Sequence, residues 1–480
     1  MSGPARRSAT LSAQLIDGAT LDVDERGDVV ARIEGYSLRL GRLSAGAAKR
    51  ARAFPAGLPL TSFASGRGTA KEIALLVRRL AESGLIEYRV ARGQQEQAVI
   101  EPQVPDYWPH VPKLRDADTL VLSRFAYLRR RGSEMVLESP RAGALFRIGD
   151  ARIAAALALL ATPRQVKWLR RQAGFPDIEL LALMVDCRIL FKVDARDQGL
   201  RATEGDGSLV MWDFHDLLFH ARSTEGRHAN PVGGVYPHVD AVSELPLVRP
   251  AWPGPRIDLR TLLPADAQSI PAAAKLLRER HSVRDFDAAR PITLSELSRF
   301  LDATARIQSV VQIPLGPEDG GGTAEYTVRP YPAAGAGYEL ELYLAVDACD
   351  GLARGFYHYD ASEHALVPIA VSAGDLDTLF QGAQLAMGAA APPQVVVTIA
   401  ARFGRVSWKY SSLAYALILK DVGVLLQTLY LIATDIGLGG CAIGSTNIEL
   451  FAKMTNIEFH VEGAVGQFAL GRRAASLESA

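Results

Sequence analysis

Residues 278–286 read Arg-Glu-Arg-His-Ser-Val-Arg-Asp-Phe. Arg280, Ser282 and Arg284 alternate along this stretch, so an extended or turn conformation would project their side chains to one side. Two guanidinium groups and a hydroxyl arranged in this way can bind a phosphate. The same alternation is typical of a strand whose charged face meets water, so the phosphate interpretation depends on the sequence that follows.

A turn rich in proline, alanine and glycine spans residues 329–338 and precedes the apolar run Leu340–Val346. The run predicts a buried strand. Small residues at 333–337 would let backbone amides approach a flat ligand closely, and the two prolines before them fix the turn. A tight turn before a core strand explains this segment equally well.

A long helix is predicted from Leu413 to Ile432, with apolar residues on nearly every side. Such a helix must be buried, either in a domain centre or between two subunits. A glycine cluster at 437–444 then ends the helix and exposes backbone donors. Its spacing does not match the dinucleotide-binding fingerprint, which opens a helix.

Composition excludes several classes of function. The 53 basic and 53 acidic side chains balance, which gives no support for binding to nucleic acid or an anionic membrane. Cys187, Cys349 and Cys441 show no CxxC spacing, and His215 and His220 do not share a helical face, so we expect no disulfide and no metal site. The apolar stretch at 413–438 is interrupted by charged residues, and we expect a soluble cytoplasmic protein.

The N-terminal half suggests two copies of one plan. In each copy a strand pair precedes helices and a closing strand, which predicts two winged-helix-like modules at residues 1–100 and 105–200. Such modules bind nucleic acid through a basic helix, or let a peptide add a strand to a sheet edge, and the balanced charge favours the peptide. An extended connector at 205–275 and a catalytic domain at 276–480 complete the predicted organisation.

Taken in order, the Arg-x-Ser-x-Arg segment, the Pro-x-x-Gly turn into a strand, the long apolar helix ending in Gly-Leu-Gly and a terminal Gly-Arg resemble the nitroreductase-like FMN oxidoreductases. Residues 212–220, 232–234 and 355–359 resemble, more narrowly, the SagB-type dehydrogenases of azole peptide biosynthesis. The resemblance covers residues 212–473. It implies an α+β fold in which a central, antiparallel-rich sheet is flanked by helices and one long helix is buried.

The same resemblance implies FMN as the cofactor and a homodimer with flavin at the shared interface. The phosphate and ribityl chain would lie on the Arg-x-Ser-x-Arg segment, and the flavin ring along residues 332–335. The family usually has serine where Ala333 stands, so this chain lacks that hydroxyl. The residues predicted to bind FMN are Arg280, Ser282, Arg284, Pro332, Ala333, Ala334, Gly335, Gln427, Gly439, Gly440, Arg472 and Arg473.

Lys409 and Tyr410 match the Lys-Tyr pair that azoline-oxidising members carry at the start of the buried helix. Aromatising an azoline removes a proton and a hydride from neighbouring carbons, so the site needs a base beside the flavin. A half-buried lysine against an apolar wall can serve as that base, and a tyrosine can relay or polarise. The alternative is a lysine and a tyrosine that only cover apolar surface at a helix start.

The predicted function is therefore FMN-dependent oxidation of thiazoline or oxazoline rings in a ribosomally synthesised peptide. The expected partners are an azoline-containing precursor peptide, whose leader the N-terminal modules would bind, or a cyclodehydratase. Two alternatives stay open: a generic NAD(P)H-dependent nitroreductase-like flavoprotein, and a non-catalytic scaffold of a heterocyclising complex. The sequence does not distinguish thiazoline from oxazoline substrates.

Overall fold

The computed structural model divides the chain into two compact units, residues 1–229 and 230–480. The described residues are 9–33, 36–54, 57–60, 68–104, 107–172, 176–193, 204–224, 241, 246–248, 253–262, 270–314 and 322–474. The motif at 232–234 and part of the predicted connector at 205–275 lie outside them.

The N-terminal unit is built on antiparallel sheets. Strand order in the largest is β5-β1-β6-β7-β11-β10-β9, and two three-stranded sheets have the orders β12-β8-β13 and β2-β3-β4. The strands are β1 (Thr10–Leu15), β2 (Thr20–Val23), β3 (Asp28–Ile33), β4 (Tyr36–Arg42), β5 (Leu58–Pro59), β6 (Ile86–Arg92), β7 (Gln95–Pro102), β8 (Thr119–Leu122), β9 (Tyr127–Arg131), β10 (Glu134–Glu138), β11 (Ala144–Ile148), β12 (Arg164–Gln165) and β13 (Leu190–Val193).

The two predicted modules share one sheet and one core. Strand β7 of the first predicted module pairs with β11 of the second, with Ile100 opposite Phe146, and both of these side chains are fully buried. A single apolar cluster extends from Ala13 to Leu190. The sequence-based boundary near residue 100 therefore does not separate two bodies, and winged-helix character stays a prediction.

The helices of this unit bury one apolar face each, as their periodicity predicts. They are α1 (Ala45–Ala51), α2 (Thr69–Glu82), α3 (Ala151–Ala158), α4 (Val166–Leu169), α5 (Ile178–Asp186) and α6 (Phe214–Arg222). After α2, Gly84 adopts a φ of +67°, a conformation that glycine accepts without steric cost. The chain then turns into β6, which is the closing strand predicted for the first module.

Helix α6 corrects the predicted extended connector at 205–275. The Asp213 side chain caps this helix by accepting from the His215 N–H at 2.9 Å. Leu217 and His220 are fully buried. Residues 207–222 are thus folded within the N-terminal unit, because the apolar face of α6 is buried there.

The C-terminal unit contains a six-stranded antiparallel sheet with the order β20-β19-β17-β21-β23-β22. The strands of this unit are β14 (Ile292–Thr293), β15 (Ser309–Pro314), β16 (Thr323–Val328), β17 (Leu340–Val346), β18 (Cys349–Asp350), β19 (Gly355–Asp360), β20 (Ala365–Ile369), β21 (Val395–Arg402), β22 (Leu438–Ile443) and β23 (Glu462–Arg472). The antiparallel-rich sheet of the predicted α+β fold is confirmed.

Helices pack around this sheet: α7 (Ala272–Glu279), α8 (Leu294–Ala305), α9 (Ala373–Met387), α10 (Gly404–Ser407), α11 (Ala414–Asp435) and α12 (Ile448–Thr455). The predicted long helix is α11. Among the described residues it is long and apolar enough to cross a membrane by length and composition alone, a test that a soluble core helix also passes. One face, including Ile418, Leu425 and Leu429, is buried in this unit, whereas Val424 on another face is 36% exposed.

Candidate active site

The Arg-x-Ser-x-Arg segment follows α7 without regular secondary structure, and its first residue, Arg280, has an extended backbone. It leaves α7 at Arg280, and the Val283 N–H donates to the Gly440 carbonyl at 2.9 Å. Val283 is buried, Arg280 and Ser282 are half-buried, and Arg284 is exposed. The apolar residue thus anchors the segment against β22, and the polar residues are left available to a ligand.

Tyr430 of α11 contacts two residues of this segment, and no sequence pattern predicted its role. Its hydroxyl accepts the Ala442 N–H at 2.7 Å and lies 2.8 Å from the Ser282 hydroxyl, to which it can donate. The Arg280 guanidinium carbon lies 4.9 Å from the centre of the Tyr430 ring, within range of a cation–π contact. Gln427, predicted to bind FMN, is exposed one helical turn before Tyr430.

Gly439 and Gly440 lie in the buried strand β22, whereas the sequence predicted a glycine cluster that exposes backbone donors. A Cβ on Gly439 would lie 2.6 Å from Val283 Cγ1, and one on Gly440 would overlap the ring of Phe468. Glycine is needed at both positions because neighbouring side chains approach the backbone too closely for any larger residue. Gly437, with a φ of +81°, is the residue that ends the helix.

The structure distinguishes the two terminal arginines. The Arg472 guanidinium binds both carboxylate oxygens of Glu296, at 2.9 and 2.7 Å. Arg473 donates from Nε to the Leu438 carbonyl at 3.0 Å, and its side chain packs beside Gly439. Arg472 is therefore engaged by a carboxylate, and of the two predicted phosphate ligands Arg473 is the one next to Gly439.

The turn at 332–338 adopts conformations that are rare for residues with side chains. Gly335, Ala336 and Tyr338 have φ values of +54°, +54° and +45°. Tertiary contacts must maintain such a backbone, and strained turns of this kind concentrate at functional sites. Here Arg405 binds the Gly337 carbonyl through Nε and Nη2 at 3.2 and 3.0 Å.

A buried carboxyl group accepts a hydrogen bond from the backbone of the same turn. Asp421 of α11 accepts the Ala334 N–H at 2.8 Å, and the neighbouring Glu339 is fully buried. Burial raises the pKa of Glu339 to about 7, and the Asp421 carboxyl beside it contributes to this increase. Burial also raises the pKa of Asp421, although the Ala334 N–H opposes the change.

Lys409 and Tyr410 lie against this turn, between α10 and α11. A Cβ on Gly335 would overlap the Tyr410 hydroxyl and would lie 3.0 Å from the Lys409 amine. The amine is also 6.0 Å from the centre of the Tyr326 ring, on β16. Lys409 is exposed in this single chain, whereas the sequence predicted a half-buried lysine. The predicted catalytic pair and the predicted flavin turn are thus brought together.

These residues fit a flat phosphorylated cofactor. Arg280 and Ser282 offer a charged group and a hydroxyl near Tyr430, and the exposed Gly335 presents a backbone without a side chain beside Lys409 and Tyr410. By contrast, in the part of the chain that the structure describes, no group of three or more His, Cys, Asp or Glu side chains could hold a metal ion.

Comparison with known proteins agrees with this geometry. The model of the nitroreductase family matches residues 277–472. A nitroreductase of Methanocaldococcus jannaschii is 31% identical over 170 residues, which cover 35% of this chain and 77% of that protein. The chain belongs to the nitroreductase family. A second family model, Cyanobactin oxidase ThcOx, matches residues 120–229.

Solved structures show a more distant likeness. A protein named as a nitroreductase from Ralstonia eutropha JMP134 is 23% identical, with a TM-score of 0.33 and coverage of 48% of this chain and 97% of that one. The E. coli microcin synthetase McbBCD complex with truncated pro-MccB17 bound is 17% identical, with a TM-score of 0.40 and coverage of 59% of this chain and 100% of that one.

The predicted enzyme class and cofactor are confirmed: this member of the nitroreductase family is an FMN-dependent oxidoreductase. The residues placed to hold FMN are Arg280 and Ser282 at the phosphate end and the 332–335 turn beside Lys409 and Tyr410. The individual roles of these residues stay predictions.

Proposed function

We propose that this oxidoreductase converts thiazoline or oxazoline rings in a ribosomally synthesised peptide to thiazoles or oxazoles. One observation carries the proposal: Lys409 and Tyr410 pack directly on Gly335, in the turn that would lie along the flavin. A reaction that removes a proton and a hydride together needs a base and a hydride acceptor at such short range.

The chemistry follows from these positions. The ring loses a proton and a hydride from adjacent carbons, and the bond between those carbons becomes double. FMN, when bound, supplies the acceptor for the hydride. Lys409 takes the proton on its amine. Tyr410, whose hydroxyl lies at Gly335, orients or polarises the substrate, and the Tyr326 ring flanks the amine.

The N-terminal unit would hold the leader of the precursor peptide or a partner cyclodehydratase. The match of residues 120–229, which lie within the N-terminal unit, to the Cyanobactin oxidase ThcOx model supports this proposal. Tethering raises the local concentration of a core peptide that would otherwise bind weakly.

A cytoplasmic homodimer is part of the proposal. Leu417, Val424 and Leu431 recur at seven-residue spacing along α11, and none of them is buried in the single chain. A second copy would cover such an apolar stripe.

Three measurements separate this proposal from its alternatives. Mass spectrometry of an azoline peptide incubated with the enzyme under oxygen should show the loss of two hydrogens per ring. Faster nitroaromatic reduction under NADPH, with no ring oxidation, would favour the generic nitroreductase. A colourless purified protein that binds no FMN would favour the scaffold.

A further inference from the structure

Two acidic residues lie beneath the 332–338 turn and take no part in the reaction described above. Glu339 is 0% exposed and Asp421 is 6% exposed. Glu339 leads from the turn into β17, and Asp421 lies midway along α11. Two ionised carboxylates buried side by side would be strongly destabilising unless they share a proton or bind cations.

The contacts of the two carboxyls differ. Asp421 accepts the Ala334 N–H at 2.8 Å, whereas neither oxygen of Glu339 has a hydrogen-bond partner among the described residues. The charge of Arg329 opposes the rise in the pKa of Glu339, and the Arg329 guanidinium donates from Nη1 to the Leu340 carbonyl at 3.2 Å. A protonated Glu339 could instead donate to Asp421.

We propose that Glu339 and Asp421 form a carboxyl pair that holds one proton between them and positions the Ala334–Gly335 turn against Lys409 and Tyr410. Both are positioning residues, since they act through the backbone of Ala334. The inference deepens the proposed function and rests on it, because this turn is the segment expected to lie along FMN.

Burial of the carboxyl pair and the groups that face it set the direction of the pH dependence. These groups are Arg329, whose charge lowers the pKa of Glu339, and Tyr331, which also lies on the segment before the turn. Because burial raises the pKa of Glu339 to about 7, the ordered turn binds more protons than a released one. The stability that this additional proton gives to the ordered turn is fully present below the ordinary glutamate pKa and is lost as the pH rises to about 7.

The test measures FMN affinity of the full-length apoprotein by quenching of flavin fluorescence, with no peptide present. In the wild type, Kd should rise at least about threefold between about pH 5.5 and about pH 7.5. Glu339→Gln keeps the volume and a neutral donor toward Asp421, so its Kd should stay at the low value across this range. Asp421→Asn should also flatten the profile.

The matched control is Glu462→Gln. Burial raises the pKa of Glu462 too, but this carboxyl accepts from the Tyr343 hydroxyl at 2.6 Å, so the variant should keep the wild-type pH dependence. A wild-type slope in Glu339→Gln would overturn the proposal.

Infrared spectroscopy of the wild type provides a test that requires no variant to fold. A protonated buried carboxyl should be visible at about pH 6 and should disappear by about pH 8. Its absence at the lower pH would also overturn the proposal. Because no azoline enters either measurement, failure here would count against the carboxyl pair and not against azoline oxidation.

Discussion

Lys409 is the residue on which the chemical proposal depends most. Lys409→Met keeps the apolar stem and removes the amine, so FMN should still bind. A positioned base contributes roughly 100- to 10,000-fold, and azoline oxidation should fall by about that factor. Single-turnover kinetics at saturating peptide would measure the loss.

Tyr410→Phe should cost less than Lys409→Met if the tyrosine only orients or relays. The double variant should be little worse than Lys409→Met alone, because residues that act as one unit are not additive. Near-normal azole formation by Lys409→Met would place the base elsewhere, whereas unchanged flavin reduction by a chemical reductant would show that the site is otherwise intact.

Arg280 and Arg472 provide a contrasting pair of arginines. Arg280→Ala should remove a charge-assisted contact worth about 1.5–3 kcal/mol and weaken FMN binding about tenfold or more. Arg472 instead binds Glu296, which belongs to the capping box of α8, so Arg472→Ala should lower the melting temperature of the apoprotein. Equal FMN loss in both variants would contradict this division of roles.

The Tyr430 hydroxyl should contribute to both protein stability and FMN affinity. Tyr430→Phe leaves the Ala442 N–H without its partner and frees Ser282, at a cost of about 1–3 kcal/mol. Both the melting temperature and FMN affinity should fall. Tyr357→Phe is the control, because among the described residues that hydroxyl bonds the local Ala353 carbonyl at 2.9 Å, so its loss should affect stability alone.

Sequence pattern predicts some of these residues and not others. Arg280 and Ser282 alternate within one segment, and period-two spacing is visible in a sequence. Tyr430 lies 148 residues from Ser282, and Arg472 lies 176 residues from Glu296. Contacts over such separations depend on the tertiary fold. Within an apolar helix, Tyr430 and Asp421 give no local signal of their partners.

Strands and helices of the catalytic unit follow from local pattern, whereas the pairing between distant strands does not. The apolar run Leu340–Val346 predicts β17, and the apolar stretch from Leu413 to Ile432 predicts α11. The pairing of β7 with β11 could not be predicted, because hydrogen bonding between distant strands leaves no trace in periodicity. Two similar sequence blocks consequently suggested two bodies.

Helix α11 supports a prediction about assembly. Val424→Glu should place a charge in the proposed dimer interface and shift the protein toward monomer, because a buried unpaired charge is costly. Leu385→Glu is the matched control: Leu385 is 81% exposed on α9, outside the proposed interface. Analytical ultracentrifugation would compare the two. A monomeric wild type would reject this interface. If the wild type is a dimer, an equal mass for the two variants would reject it as well.

Two observations support a boundary between the two units at residue 229. The compact N-terminal unit and the cyanobactin oxidase match both end there. The predicted modules end near residue 200, and an extended connector is predicted after them. Helix α6 shows that the unit continues beyond residue 200.

The corrected boundary changes how the units should be separated. A fragment of residues 230–480 should keep FMN and oxidise a leaderless azoline peptide as the full chain does. A fragment from Gly207 should aggregate, because it carries α6 with Leu217 and His220 stripped of the core that buries them.

Leader-bearing peptide then tests what the N-terminal unit does. If that unit binds the leader, the 230–480 fragment should lose turnover of leader-bearing peptide at low concentration, since tethering acts by raising local concentration by roughly 100-fold or more. High peptide concentration should restore the rate. Supplying residues 1–229 as a separate protein should not restore it, because the covalent link is absent. Equal efficiency of the folded fragment and the full chain on leader-bearing peptide at low concentration would exclude leader binding and leave the unit to a protein partner such as a cyclodehydratase.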